Sequence, residues 1–257
     1  MSTTSEPAVR TAVTGRTAVT SEDDPRFQIA AARRILHREG LDSQVGGHVS
    51  VRVPGEDAFL VTPFQYFDET LPEHVSKVGL DLEVLEAGTL EPSPGINFHA
   101  SIYRARLDVN CVIHTHGFSM SVLSTTGVPF GMYYDYASLF YEDVEFFKDD
   151  PTMVPSEEGE LMAKVLGGKR ALLMSHHGSL HVGSSLETTT VEAVLLELCS
   201  RYQLAAMVVN GRELDERTVR SYRHAYLKYG LREQMWLANY RRLRRSDPDL
   251  FEGLPRA

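Results

Sequence analysis

Apolar residues recur at helical spacing over residues 27–39: Ile29, Ala32, Ile35 and Leu36 share one face, and Gly40 supplies a stop. After Gly46-Gly47 the period changes to two. Val49, Val51 and Val53 alternate with other positions, so residues 49–53 read as a strand, Pro54-Gly55 as a turn and residues 58–62 as the returning strand of a hairpin. Residues 96–106 read as a short helix with Phe98, Ile102 and Tyr103 on one side. Residues 109–116 are an apolar run of strand length ending in His-Thr-His, and a helix over 118–124 starts immediately afterwards. A helix over 156–166 opens with Ser156, Glu157, Glu158 and Glu160 and is closed by Gly167-Gly168. Residues 171–175 read as a buried strand running into His176-His177-Gly178, and two long helices follow, over 186–209 and from 215 to about 245. No repeat or linker interrupts this order. Residues 25–257 are therefore expected to form one α/β domain, a central, mostly antiparallel sheet flanked by helices, with a helical C-terminal extension.

Charge bears on the partners. The 257 residues carry a net charge of −9, which argues against nucleic acid or an anionic membrane as partner. The basic group Arg241, Arg242, Arg244 and Arg245 reads as a solvated helix face or a subunit contact. Cys111 and Cys199 are too few and too isolated for a disulfide framework or a zinc knuckle, so a reducing cytoplasm is the expected compartment. No apolar run reaches the roughly 18–20 residues of a membrane span. Residues 1–24 are rich in Ser, Thr, Ala and Val without an apolar signal core, and read as a disordered leader.

The histidines carry the chemistry. His114 and His116 close an apolar strand, where side chains at i and i+2 share a face, so two imidazoles can converge on one ion. His176-His177-Gly178 closes another and can supply a third ligand. Three histidines leave positions open on a metal, as catalytic sites do. A plainer reading makes strand-end histidines hydrogen-bonded or solvated, and an H-x-H alone would not decide against it; the later H-H-G does more.

Gly47-His48-Val49-Ser50-Val51-Arg52, the Val61-Thr62-Pro63 strand end, Phe98-His99 with Ile102-Tyr103, His114-Thr115-His116 and His176-His177-Gly178 stand together in order. From about Phe27 to Gly230 the chain resembles the class II aldolase/adducin family, of the fuculose-phosphate aldolase type. The resemblance implies a three-layer α/β/α fold, a cytoplasmic homotetramer, and one divalent metal per subunit held by His114, His116 and His177, with His176 a neighbour. Zinc is the favoured ion, with iron or manganese as alternatives. Tyr229 resembles a C-terminal tyrosine that the aldolases reach across to a neighbouring subunit as a proton donor, and Tyr133 another tyrosine from an adjacent chain. Against that, Tyr222, Tyr226 and Tyr229 also suit a packing stripe with Leu227 and Trp236.

The departures from that family are specific. Gly95 stands where the aldolases carry an acid/base glutamate. His48 replaces an asparagine, Phe64 a glycine and Pro94 a serine of the phosphate cradle, and Pro94 has no N–H to give. Ser93 remains as a substrate contact. Phe64, Tyr66, Phe67, Tyr133 and Tyr134 suggest a flatter, more apolar substrate, although each also suits core or interface packing. His48 can pair with a substrate carboxylate or act as acid/base, or simply hydrogen-bond within its turn. The expectation is a metal-dependent carbon–carbon lyase acting on a small molecule, foremost a decarboxylase of a hydroxylated aromatic or β-keto acid with His48 and Tyr229 as catalytic groups. The alternatives are a retro-aldolase on an unphosphorylated substrate and a non-haem iron oxygenase of secondary metabolism. An adducin-like structural role is set aside because the three histidines are retained.

Overall fold

The computed structural model describes residues 19, 21–148, 152–252 and 254. Most of the expected leader, residues 1–18 and 20, lies outside them. The end of that stretch is tied down: Glu22 accepts from the Tyr240 hydroxyl (2.6 Å) and pairs with Arg244, and Asp24 caps the first helix.

Helix α1 (Pro25–Arg38) ends before Gly40, whose φ of +83° is the left-handed stop the sequence offered. Strands β1 (His48–Arg52) and β2 (Ala58–Val61) form the expected hairpin, with Ser50 opposite Val61. Two short strands not expected from the sequence extend it, β3 (Ser76–Gly79) and β4 (Val84–Glu86). Helix α2 (Asn97–Ala105), strand β5 (Cys111–Thr115) and helix α3 (Phe118–Thr125) follow as expected. An unexpected strand β6 (Val144–Phe147) precedes helix α4 (Pro155–Leu166) and strand β7 (Ala171–Met174). The strand expected over 171–175 stops at Met174, and His176-His177 form a turn into a further strand, β8 (Gly178–Gly183). After helix α5 (Leu186–Val208), the single long helix expected from residue 215 is two, α6 (Glu216–Lys228) and α7 (Leu231–Ser246). They break at Tyr229-Gly230, because Gly230 takes a left-handed conformation (φ +62°) that ends α6 and turns the chain back.

The eight strands make one sheet in the order β4-β3-β2-β1-β5-β8-β7-β6, antiparallel except for the β6–β7 pair. Alternation along the central strands divides two cores. Val49, Ile113 and Leu173 meet α1, α3, α5 and α7 through Ile35, Met120, Leu195 and Leu243. Phe59, Val112, Leu172 and Leu180 meet α2 and α4 through Ile102, Tyr103 and Met162. The result is the three-layer α/β/α fold. A buried Glu192 on α5 holds Arg170 beside β7 and Arg232 on α7, which fastens the C-terminal helices to the body. No helix among the described residues is long and apolar enough to cross a membrane.

One core histidine has a thermodynamic consequence. His181 on β8 is buried, with Nε2 2.9 Å from Ser179 Oγ and no partner for Nδ1 among the described residues. Burial pulls its pKa from 6.5 down to about 3. The unfolded chain takes up this proton near pH 6.5 and the folded chain does not, so the contribution is complete above that pH and is lost as pH falls towards 3. His181→Leu is expected to flatten the decline in Tm between pH 6.5 and about 4, followed by calorimetry; an unchanged slope would assign that decline to other groups.

Candidate metal centre and active site

Strand β5 aims two histidines at one point. His114 is its fourth residue, and His116 follows its end on the same side. The β7–β8 turn brings His177 to them. One ligand nitrogen from each of the three lies within 4.8 Å of the others, and the ring centroids are 4.7–4.9 Å apart. The nearest pair, His114 Nε2 and His116 Nε2, is separated by 2.9 Å. His176 has φ +57°, is exposed, and does not join them.

Each ring is held from behind. His114 Nδ1 donates to the Ser179 carbonyl (2.9 Å), which places its lone pair on Nε2, towards the other two. The amide of His116 donates to Ser43 Oγ (2.7 Å). Glu197 accepts from the amides of Ser119 (2.8 Å) and Met120 (3.0 Å), capping α3 directly behind His116. A side chain at Gly117 would run into that carboxylate. The His177 amide donates to Met174 and its carbonyl accepts from Ser121 Oγ (3.1 Å), so α3 also fixes the turn. Gly178 is required here, since a Cβ would collide with the Thr115 carbonyl and with the His116 ring. Burial, with the neighbouring imidazoles, keeps His114 well below its ordinary pKa and lowers His116 to about 4. The rings of His114 and His116 are therefore neutral at pH 7 with their nitrogens available as ligands, and three imidazoles are a donor set suited to a divalent metal.

His48 lies beside the triad, opposite His114 in the β1–β5 register, with ring centroids 5.0 Å apart and only 2% of the residue exposed. Phe98 packs against both rings. His48 Nδ1 is hydrogen-bonded to His99 Nε2 (2.7 Å). Its Nε2 points at Gly95, 2.8 Å from where a Cβ would stand. The segment carrying Gly95 is strapped to the end of β2 by the Pro63–Pro92 bridge and by the Ser93 amide on the Thr62 carbonyl (3.2 Å).

The remaining residues singled out by sequence are distributed unevenly. Ser93 is buried on the strap two residues before Gly95. Phe64 stands 50% exposed, its amide on the Glu91 carbonyl (3.1 Å). Tyr133 belongs to a tyrosine-rich segment against α5 and α6, where Tyr134 stacks on Tyr202 at 4.0 Å and Tyr136 meets Tyr226 edge-on. Tyr222 and Tyr226 stack on each other, and the Tyr226 hydroxyl donates to Asp135 (2.5 Å), so these two do pack. Tyr229, at the end of α6, is 74% exposed.

Arg33 was not foreseen. It lies four residues after Ile29, on the buried side of α1, and a charge at that spacing was the available signal. Its guanidinium donates to the carbonyls of Pro63 (2.9 Å), Gly47 (3.2 Å) and Gln65 (2.6 Å) and sits over the Phe67 ring. It thus clamps the glycine turn before His48 to the loop after β2. Burial lowers its pKa to about 9, which leaves it charged at neutral pH.

A three-layer fold with a strand-end histidine triad defines a class II aldolase type of domain. The model of the Class II Aldolase and Adducin N-terminal domain matches residues 27–204, and the chain belongs to this family. It is 31% identical over 193 residues to 4-hydroxy-3-prenylphenylpyruvate oxygenase/4-hydroxy-3-prenylbenzoate synthase of Streptomyces roseochromogenus subsp. oscitans, covering 73% of this chain and 70% of that one. It is 31% identical to Decarboxylase NovR of Streptomyces niveus, covering 70% and 69%. The crystal structure of an aldolase II superfamily protein from Pseudomonas syringae superposes with a TM-score of 0.79 at 25% identity, over 88% of this chain and 94% of that one.

If the three imidazoles are the ligands, His114→Ala, His116→Ala and His177→Ala should each lose most bound metal while keeping the far-ultraviolet circular dichroism of the parent. Full metal content by elemental analysis in one variant would remove that residue from the set.

Proposed function

We propose that the chain is a metal-dependent carbon–carbon lyase, a decarboxylase of a hydroxylated aromatic or β-keto carboxylic acid. The observation that carries this reading is the contact between His48 and Gly95. A side chain at position 95 would drive its Cβ into His48 Nε2. The aldolase glutamate and this imidazole therefore exclude each other, and the chain has the imidazole. A retro-aldol reaction begins by taking a proton from a hydroxyl, for which a carboxylate base is suited. Decarboxylation begins by breaking the bond to the carboxylate carbon. The electron pair passes into the conjugated enolate, carbon dioxide leaves, and one proton is taken up at carbon.

A divalent ion held by His114, His116 and His177 would supply Lewis acidity for the negative charge that develops on oxygen. His48, beside the triad, donates to that oxygen or delivers the proton. Tyr229 is too exposed to serve its own cleft and is assigned, with Tyr133, to the site of a neighbouring copy in a homotetramer. Ser93 and Phe64 are assigned as substrate contacts, and Pro94, which has no N–H, and the bulky Phe64 make a poor phosphate cradle. The names of the two relatives from Streptomyces, one a decarboxylase and one a synthase of a prenylated hydroxybenzoate, support a hydroxyaryl acid as substrate class. The first of them is also named an oxygenase, which favours an iron-dependent oxidative cleavage as the second reading.

A panel of hydroxybenzoates, hydroxyphthalates, hydroxyphenylpyruvates and β-keto acids, incubated anaerobically with Zn²⁺, Mn²⁺ or Fe²⁺, should release carbon dioxide from at least one member. Release only with Fe²⁺ and oxygen uptake would replace this reading by the oxygenase, and efficient cleavage of a ketose phosphate would overturn both. His48→Ala should slow the reaction by ~10²-fold or more. Light scattering should give a tetramer; a fully active monomer would contradict the assignment of Tyr133 and Tyr229.

A further inference from the structure

The face of β1 that carries His48 continues inward to Ser50, and α2 lays His99 and Tyr103 over it. Four buried side chains form one continuous series of hydrogen bonds, and the backbone of Val112 also bonds to the Tyr103 oxygen. His48 Nδ1 lies 2.7 Å from His99 Nε2, His99 Nδ1 2.6 Å from Ser50 Oγ, and Ser50 Oγ 2.8 Å from the Tyr103 hydroxyl. With neutral rings, each residue brings one proton to place: two O–H groups and two ring N–H groups.

We propose that the series runs in one direction, Tyr103 to Ser50 to His99 to His48, and locks His48 as the tautomer with its proton on Nε2. Among the described residues Ser50 Oγ is the acceptor within reach of the Tyr103 hydroxyl, which therefore donates to it. The Ser50 hydroxyl then donates to His99 Nδ1. His99 holds its own proton on Nε2 and gives it to His48 Nδ1. The His48 proton is left on Nε2, directed at the gap over Gly95; unlike the Tyr103 hydroxyl in the core, that atom is not sealed from solvent, so its N–H can be met by water or substrate. The reverse direction strands the Tyr103 O–H in the core without an acceptor. A mixed direction, with both neighbours donating to Ser50, strands the Ser50 O–H instead. Interiors tolerate an unmet lone pair far better than an orphaned donor. A second proton on either ring would place a charge on a buried side chain.

This inference deepens the reading of His48 as the group that faces substrate, and rests on it for its functional meaning. A neutral imidazole with its proton on Nε2 cannot take up a proton there. It donates a hydrogen bond to the oxygen that gains charge as carbon dioxide leaves, and it is not a substitute base for the missing glutamate. His99, Ser50 and Tyr103 are then positioning residues, acting through the tautomer they impose.

Multiple-bond ¹H–¹⁵N NMR of histidine-labelled protein, with and without Zn²⁺, reads the tautomers directly, with signals assigned from His48→Asn and His99→Gln. The expected result is the Nε2–H form for both His48 and His99; an Nδ1–H form of His48 overturns the proposal. His99→Gln, whose amide can still donate to His48 Nδ1, should keep that form. His99→Leu should let the His48 ring populate both tautomers and lower kcat on the order of 10- to 100-fold with little change in KM, the range typical of a lost orienting partner. An unchanged tautomer and kcat in His99→Leu would show that the series does not set the ring. The tautomer measurement needs no substrate. Failure of the decarboxylase screen therefore leaves this test intact, and the opposite tautomer overturns the inference whatever the reaction proves to be.

Discussion

The register of β5 between β1 and β8 sets His48 opposite His114 on one side and Thr115 opposite Ser179 on the other. Side chains alternate along a strand, so a slip of one residue would turn His48, Ser50 and His114 to the opposite layer, among the apolar side chains of α1 and α5. The same ladder puts the Ser179 carbonyl where His114 Nδ1 can donate to it. Helix α2 then completes the site from above, with Phe98 against the rings and His99 and Tyr103 continuing the polar line inward. The two pairings of β5 thus place His48, His114 and the Ser179 support, while the β7–β8 turn adds His177 and helix α2 adds His99 and Tyr103.

Burial decides the electrostatic character of this centre. Four imidazoles close together cannot all be charged, and desolvation holds His48, His99, His114 and His116 below their ordinary range. The region nevertheless has a fixed positive charge in Arg33, whose donors are directed at backbone carbonyls rather than at a carboxylate. That arrangement keeps the loops on either side of His48 in place. It also leaves the field of the guanidinium available to the cleft, where it lowers the tendency of His48 to become charged and favours an anion.

His48 and Gly95 are sterically linked, and the proposed chemistry rests on that link. The volume opened by Gly95 is the volume into which His48 Nε2 points. A side chain at position 95 and this imidazole cannot share it, so the residue at 95 and the placement of His48 depend on each other. Pro94 lies on the same strap, and Phe64 on the loop bonded to it through the Glu91 carbonyl.

Local information in the sequence determined a good deal. The period-two hairpin, the apolar strand ending at the H-x-H pair, the glycine stops at Gly40 and Gly167, and the motif order that marks the family are all properties of short stretches of chain. They depend on backbone preference and on which face is apolar. Strands β3, β4, β6 and β8 were not legible, because they are short or buried on both faces. In β8, Ser179 and His181 are buried polar residues bonded to each other, and Ser179 also meets Thr115 on β5, so no apolar alternation marks the strand. The break at Gly230 was visible as a residue but was outweighed by the helical periodicity on either side. Only the tertiary structure brought Gly95 to His48, set Arg33 over the glycine turn and joined Ser50 to His99 and Tyr103. It also put Tyr229 on the surface. Each of these is a meeting of residues distant in sequence, fixed by strand register and helix packing, and the composition or period of either partner alone carries no record of it.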